Sequence, residues 1–249
     1  MVRDLLLRGM LAGIVAALLA FAFAKGVAEP YVDRALAVEE TLGRAAGTAQ
    51  GGEAPIVSRA TQAGIGLLTG LVLYGAALGG SFALVFAFAH GRLGRIGAHG
   101  VAGLIALAGF VAIVLVPGLK YPANPPSVGD FRTIGHRTAL FFWMVTFSVG
   151  AMALAVAASG WMHRRRGSCR GAWGPAVCAG LSYGVLVGVA ALAMPAIDEV
   201  PEGFPAALLW DFRLAALGVQ TVLWGALGLA FDALTGGRQS ATARGSKGR

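Results

Sequence analysis

The chain is predicted to be an all-α, polytopic membrane helix bundle of about six transmembrane helices. Three observations predict this. Of its 249 residues only 13% are charged and 57% are hydrophobic, where a soluble domain carries about 25% charged residues. Six apolar runs reach or approach the ~20 residues that a helix needs to cross a ~30 Å hydrocarbon core. Basic residues collect on alternate connections: with the N-terminus inside, the inner segments hold twelve Lys or Arg against two acids, and the outer loops eight against ten. That is the positive-inside pattern of a multi-pass protein of the cytoplasmic membrane with both termini cytoplasmic. It accounts for the net charge of +8 without a nucleic-acid partner.

The spans are expected at about 5–24, 63–89, 100–116, 138–159, 175–194 and 214–231, within a single membrane domain over 1–235. The first run has two readings. Arg3 and Arg8 followed by an apolar stretch and Ala22-Phe23-Ala24 resemble a cleavable signal. Gly9 and Gly13 form a GxxxG pair that suits a retained packing helix. Pro30 is placed as the first residue of a second helix. There Tyr31, Ala35, Val38 and Leu42 form an apolar stripe and Asp33, Glu39 and Glu40 lie off it, so an amphipathic helix at the interface is expected. Gly47 to Glu53 reads as a flexible linker.

The second span carries the pairs Gly66/Gly70 and Gly75/Gly79, which suggest close helix contact. Between the third and fourth spans lies Val116 to Thr138, with four of the ten prolines, Pro117, Pro122, Pro125 and Pro126. Proline has a fixed φ and no N–H, so this segment is expected to be a stiff, non-helical loop. His163 to Arg166 reads as a topology and anionic-lipid anchor, making membrane lipids a partner. The fifth span has Gly180, Gly184 and Gly188 at four-residue spacing. Residues 236–249, rich in Gly, Ser and Arg, are expected to be a disordered cytoplasmic tail. Each outer loop starts near a proline and ends in an arginine (Arg59, Arg137, Arg213), which suggests three repeated helix–outer loop–helix hairpins, an arrangement found in transporters.

No motif of a hydrolase, metalloprotease, P-loop or dinucleotide-binding enzyme is present, so no enzymatic activity and no bound cofactor are expected. Cys169 and Cys178 form no CxxC and no Cys/His spacing, which removes a zinc site. No charged residue lies near the middle of a predicted span, against the usual pattern of a proton path. The acids sit at the outer boundary instead. There carboxylates raise the local cation concentration. Asp198, Glu199, His136, Glu29 and Asp33 are the candidate ligands for a divalent transition metal. The competing reading is structural: Arg59, Arg137 and Arg213 are placed to pair with these acids. Asn124, Gln62, Gln220 and Met144 are the neutral ligands offered nearer the spans.

Leu119 to Leu140 (LKYPANPPSVGDFRTIGHRTAL) resembles the signature loop of the CbtA family of proposed cobalt transporter subunits. Glu29-Pro30, Val32 to Ala35, Leu67 to Gly75 (LLTGLVLYG) and Pro195 to Gln220 (PAIDEVPEGFPAALLWDFRLAALGVQ) resemble it too. The resemblance implies cobalt(II) as the transported ion, uptake serving cobalamin biosynthesis, and a small single-span, histidine-rich CbtB-like partner. The scarcity of histidines here, four in all, fits metal capture by that partner. The family is described with five spans, where six are counted here. A homo-oligomer is also compatible with the composition. Two other function classes stand beside transport of cobalt: a non-transporting membrane scaffold, and a carrier of a small organic anion held by Arg137 and Arg213.

Overall fold

The computed structural model describes residues 2–45, 56–92, 96–166 and 174–245. Among them the chain is helical and carries no strand. Six helical stretches are long and apolar enough to cross a membrane: Val2–Arg44, Arg59–Ala89, Ala98–Lys120, Phe131–Met162, Ala176–Ala193 and Ala206–Thr235. Each coincides with a predicted span, and the count is six rather than five.

The chain packs as two compact units. The first comprises Met1–Leu107, Asn124–Ser127 and Pro201–Arg249, the second Ala108–Ala123 and Val128–Val200. The first unit contains α1 (Val2–Phe23), α2 (Glu29–Ala45), α3 (Arg59–Thr61), α4 (Leu67–Ala89), most of α5 (Ala98–Gly109) and, after the second unit, α9 (Ala206–Gly245). The second contains α6 (Val116–Lys120), α7 (Ile134–Arg166) and α8 (Gly174–Ala193). The expected hairpin pairing holds for α1 with α4 and for α6 with α7. Within the second unit α8 packs on α7, and within the first α9 packs on α1.

The core of the first unit is built on small residues. Ala12, Ala16, Ala17 and Ala20 of α1 are fully buried. A Cβ built on Gly75 of α4 would lie 2.5 Å from Gly13 O and 2.8 Å from Ala17 Cβ, and one on Gly79 would lie 3.0 Å from Gly13 Cα. Cβ atoms on Gly9 and Gly13 would run into the carbonyls of Gly79 and Gly75. The two GxxxG pairs therefore face each other and the backbones touch, as small-xxx-small faces allow in lipid. Gly66 and Gly70, also expected to pack, do not: Gly70 has nothing within 4 Å and Gly66 meets only its own helix at Thr61. The lower part of the core is aromatic, with Phe231 of α9 edge-on to Phe82 and Phe86 of α4 at 5.0 Å between centroids. In the second unit Met144 and Ser148 of α7 are fully buried. Ser148 Oγ pairs with Tyr183 Oη of α8 at 2.8 Å, which satisfies two hydroxyls away from water.

Two corrections concern prolines. Pro30 does not open a separate helix: the backbone is helical without a break from Val2 to Ala45. A proline inside a helix removes one hydrogen bond and its ring crowds the carbonyl four residues back. Here the turn before it, Ala24–Ala28, is a π-turn that closes with Glu29 N–H to Ala24 O, so the wider ring absorbs the proline. The stripe expected on α2 is real. Ala35 is fully buried, Tyr31, Val38 and Leu42 are half-buried, and Asp33, Glu39 and Glu40 are exposed.

Pro117 repeats the arrangement. The loop expected from Val116 to Thr138 is shorter, because α6 continues to Lys120 and α7 begins at Ile134. Pro117 follows the π-turn Phe110–Leu115, whose closing bond runs from Val116 N–H to Val111 O. Irregular backbone is confined to 121–130, with a 3₁₀ turn at Phe131–Thr133. At the other end, α9 carries helix past the sixth apolar run to Gly245, into the segment expected to be a tail from 236. The linker Gly47 to Glu53 and residues 246–249 lie outside the described residues, as do the side chains of His163 to Arg166.

The glycine contact gives a direct test. Gly75→Ala or Gly79→Ala forces α1 and α4 apart and is expected to cost about 1–3 kcal/mol. Thermal unfolding in detergent should show a lowered midpoint for both. Gly70→Ala, on the same helix with open space around it, should leave the midpoint unchanged or raise it, because alanine is the better helix former.

Candidate functional site

In the first unit the candidate acids converge on one arginine. Arg59 opens α3, whose cap Ser58 accepts a hydrogen bond from Thr61 N–H at 3.2 Å. From there its guanidinium reaches back to α2, pairing Nη2 with the Glu29 carboxylate and donating from Nε to Asp33 Oδ1 at 3.1 Å. Glu29 and Asp33 are one helical turn apart on α2, so one planar fork spans both. The Glu29 side chain is 13% exposed and the Asp33 side chain 63%, so the Glu29 pair is the less screened and the stronger of the two. Beside them Lys25 Nζ donates to Ala63 O at 3.2 Å. This joins the first π-turn to a second one, Gln62–Gly66. Gln62 Nε2 donates to Val57 O at 3.1 Å.

In the second unit Glu199 is the hub. Its carboxylate accepts from Asp130 N–H at 2.9 Å and from Thr133 Oγ1 at 2.8 Å. Arg137 Nε lies 3.3 Å from the same oxygen, an ion pair without hydrogen-bond alignment. The Glu199 carbonyl accepts from Gly129 N–H at 3.1 Å, and Arg137 Nη2 donates to Asp130 O at 3.1 Å. Asp130 Oδ1 in turn caps the 3₁₀ turn by accepting from Arg132 N–H at 2.8 Å. Gly129 is required twice over. Its φ of +106° suits glycine, and a Cβ there would collide with the Arg137 guanidinium. Tyr121 Oη donates to Pro195 O at 2.8 Å, and burial lifts its phenol above the ordinary range, keeping it a neutral donor. The loops 121–133 and 195–200 are thereby sewn together.

The structure thus brings Glu29 and Asp33 together through Arg59, and seats Glu199 between Asp130, Thr133 and Arg137. It leaves Asp198 and His136 exposed, with no ion pair or hydrogen bond to the described residues. Among the described residues no three His, Cys, Asp or Glu side chains gather closely enough to hold a metal ion. The structural alternative is realised for Arg59 and Arg137. Arg213 donates from Nη2 to Asn124 Oδ1 at 3.0 Å, fastening Asn124–Ser127 to α9. Sequence reasoning passed over Gly129 and Tyr121. The Gly-Asp pair ahead of Phe131 carried a turn-and-cap signal; nothing local marked Tyr121.

Fold and loops define a polytopic α-helical membrane protein whose boundary carboxylates are held by arginines and backbone donors. A family model described as "Probable cobalt transporter subunit (CbtA)" matches residues 2–236. The chain belongs to the CbtA family, which that description makes a family of probable transporter subunits. No curated protein and no solved structure matches the chain.

The hub predicts a graded response. Glu199→Ala leaves Arg137 half-buried without its carboxylate and is expected to destabilise by about 1.5–3 kcal/mol. Amide exchange at Gly129 and Asp130 should accelerate in that variant. Asp198→Ala should leave the same amides unchanged.

Proposed function

We propose that this chain is the membrane subunit through which cobalt(II) crosses the cytoplasmic membrane, supplying cobalamin biosynthesis. It works with a small single-span, histidine-rich subunit of the CbtB kind. The observation that carries this reading is the family match across 2–236, together with six helices long and apolar enough to span. The word subunit in the family's description supports a partner. The lack of a three-ligand group among the described residues supports placing metal capture on that partner.

In this reading the charge asymmetry sets both termini in the cytoplasm, and Asp198, Glu199, His136, Glu29 and Asp33 face the side from which the ion enters. In this reading their work is divided. Glu199, Glu29 and Asp33 are largely offset by Arg137 and Arg59 and shape the loops. Asp198 and His136 are free to attract and hand on the cation. A potential of 100 mV supplies ~4.6 kcal/mol to an inward-moving divalent ion, twice the single-charge value, so a nucleotide site is not needed. The scaffold reading draws its support from the closed hydrogen bonding around Glu199, which makes those loops a rigid surface.

Uptake of radioactive cobalt, in cells lacking other importers, tests the assignment with the chain expressed alone and with its small partner. Saturable uptake that falls several-fold with Asp198→Ala, at unchanged protein level, is the expected outcome. No uptake in either condition, with the protein present in the membrane, would sink the transport reading and favour the scaffold. A reporter fused after Arg249 checks the topology: activity of a periplasm-dependent reporter there would overturn the cytoplasmic C-terminus.

A further inference from the structure

In the interior of the first unit, two polar groups of α9 stand without partners. Gln220 Oε1 and Trp224 Nε1 are both buried and make no hydrogen bond among the described residues. Trp224 is 4% exposed. The two residues are four apart on one helix, so they share a face with about 5–6 Å between Cβ atoms. That face is the one α9 buries: Leu223, Leu227 and Phe231 on it are closed from solvent. A buried amide oxygen and a buried indole N–H are costly to leave unpaired, and lipid supplies no substitute partner.

The chemistry of the pair names the ligand. One group only accepts and the other only donates. A water molecule between them would accept from the indole N–H and donate to the amide oxygen, leaving one proton and one lone pair for a neighbour. A metal ion fits less well, because an indole N–H offers it no lone pair. Nearer the loop end, Arg213 stands seven residues before Gln220 in the same register, with Ala216 and Leu217 between them, and holds Asn124. Ser127, in the same short segment, has a buried Oγ without a partner. From Arg213 to Trp224 the helix rises about 16 Å at ~1.5 Å per residue.

We infer that Gln220 and Trp224 form an internal hydration site within the membrane interior of the first unit, about two helical turns deeper than the Arg213–Asn124 contact. The inference stands on the first unit alone and does not depend on which solute the protein carries.

Hydroxyl-radical footprinting by X-ray radiolysis of the purified full chain in detergent tests it, because radicals form from bound water beside the side chain that they label. After correction for intrinsic reactivity, Trp224 should be modified at a rate comparable to the exposed Trp210, while Phe231 stays protected. Gln220→Leu should cut Trp224 modification several-fold and leave Trp210 and Phe231 as they were, the latter reporting that the core is intact. Protection of Trp224 equal to that of Phe231 in the unmodified chain would overturn the inference, and that comparison needs no variant. Unchanged Trp224 labelling in a folded Gln220→Leu protein would overturn the role of Gln220. Thermal unfolding of Gln220→Leu gives a further arm. A dry, unpaired amide predicts a raised midpoint on its removal, and a hydrated one predicts no gain.

Discussion

The crossing of α1 and α4 is the contact on which the first unit depends. In lipid there is no hydrophobic drive to bring two apolar helices together, so association rests on close packing. Gly9 and Gly13 against Gly75 and Gly79 bring backbone onto backbone, and the alanines of α1 extend that face until Ala12, Ala16, Ala17 and Ala20 are closed from all contact with solvent. Once α1 is held this way, α9 can lie against it. Gly218 sits so close to Phe23 that a Cβ would come within 2.9 Å of its ring. The aromatic contacts among Phe82, Phe86 and Phe231 then complete the core.

A second constraint shapes the loop ends. Pro30 and Pro117 sit within helical backbone, and each follows a π-turn. The wide turn spares the chain the clash of the proline ring with the preceding carbonyl. A third π-turn, Gln62–Gly66, faces the first through the Lys25 to Ala63 hydrogen bond. In the first unit the boundary that carries Glu29 and Asp33 is therefore built from irregular helix. That gives Glu29 and Asp33 fixed positions on α2 and lets a single arginine reach both.

The consequence for function lies in how charge is distributed. A carboxylate offset by a neighbouring guanidinium contributes little net field at distance. With Arg59 on Glu29 and Asp33, and Arg137 on Glu199, the count of outer acids overstates the attraction available to a cation. Of the five candidate ligands, Asp198 and His136 are the two with no ion pair or hydrogen bond to the described residues. The neutral groups divide similarly. Gln62 and Asn124 hold backbone and arginine partners, while Gln220 has none among the described residues.

Sequence alone determined the membrane class, the six spans and the apolar stripe of α2. These depend on properties read residue by residue: hydropathy over about twenty positions, helical periodicity, and the sidedness of Lys and Arg. It also marked the right glycines, Gly9, Gly13, Gly75 and Gly79, but equally Gly66 and Gly70, because a small residue shows where close approach is allowed and not where a partner stands. The local rule that proline ends a helix misplaced two boundaries, since a π-turn is a property of several residues' hydrogen bonds at once. Which acid meets which arginine was open for the same reason. Arg59 lies 30 residues from Glu29, and Arg137 lies 62 from Glu199, so only tertiary packing decides those pairs. The burial of Gln220 Oε1 and Trp224 Nε1 without partners among the described residues was likewise settled by how the helices meet.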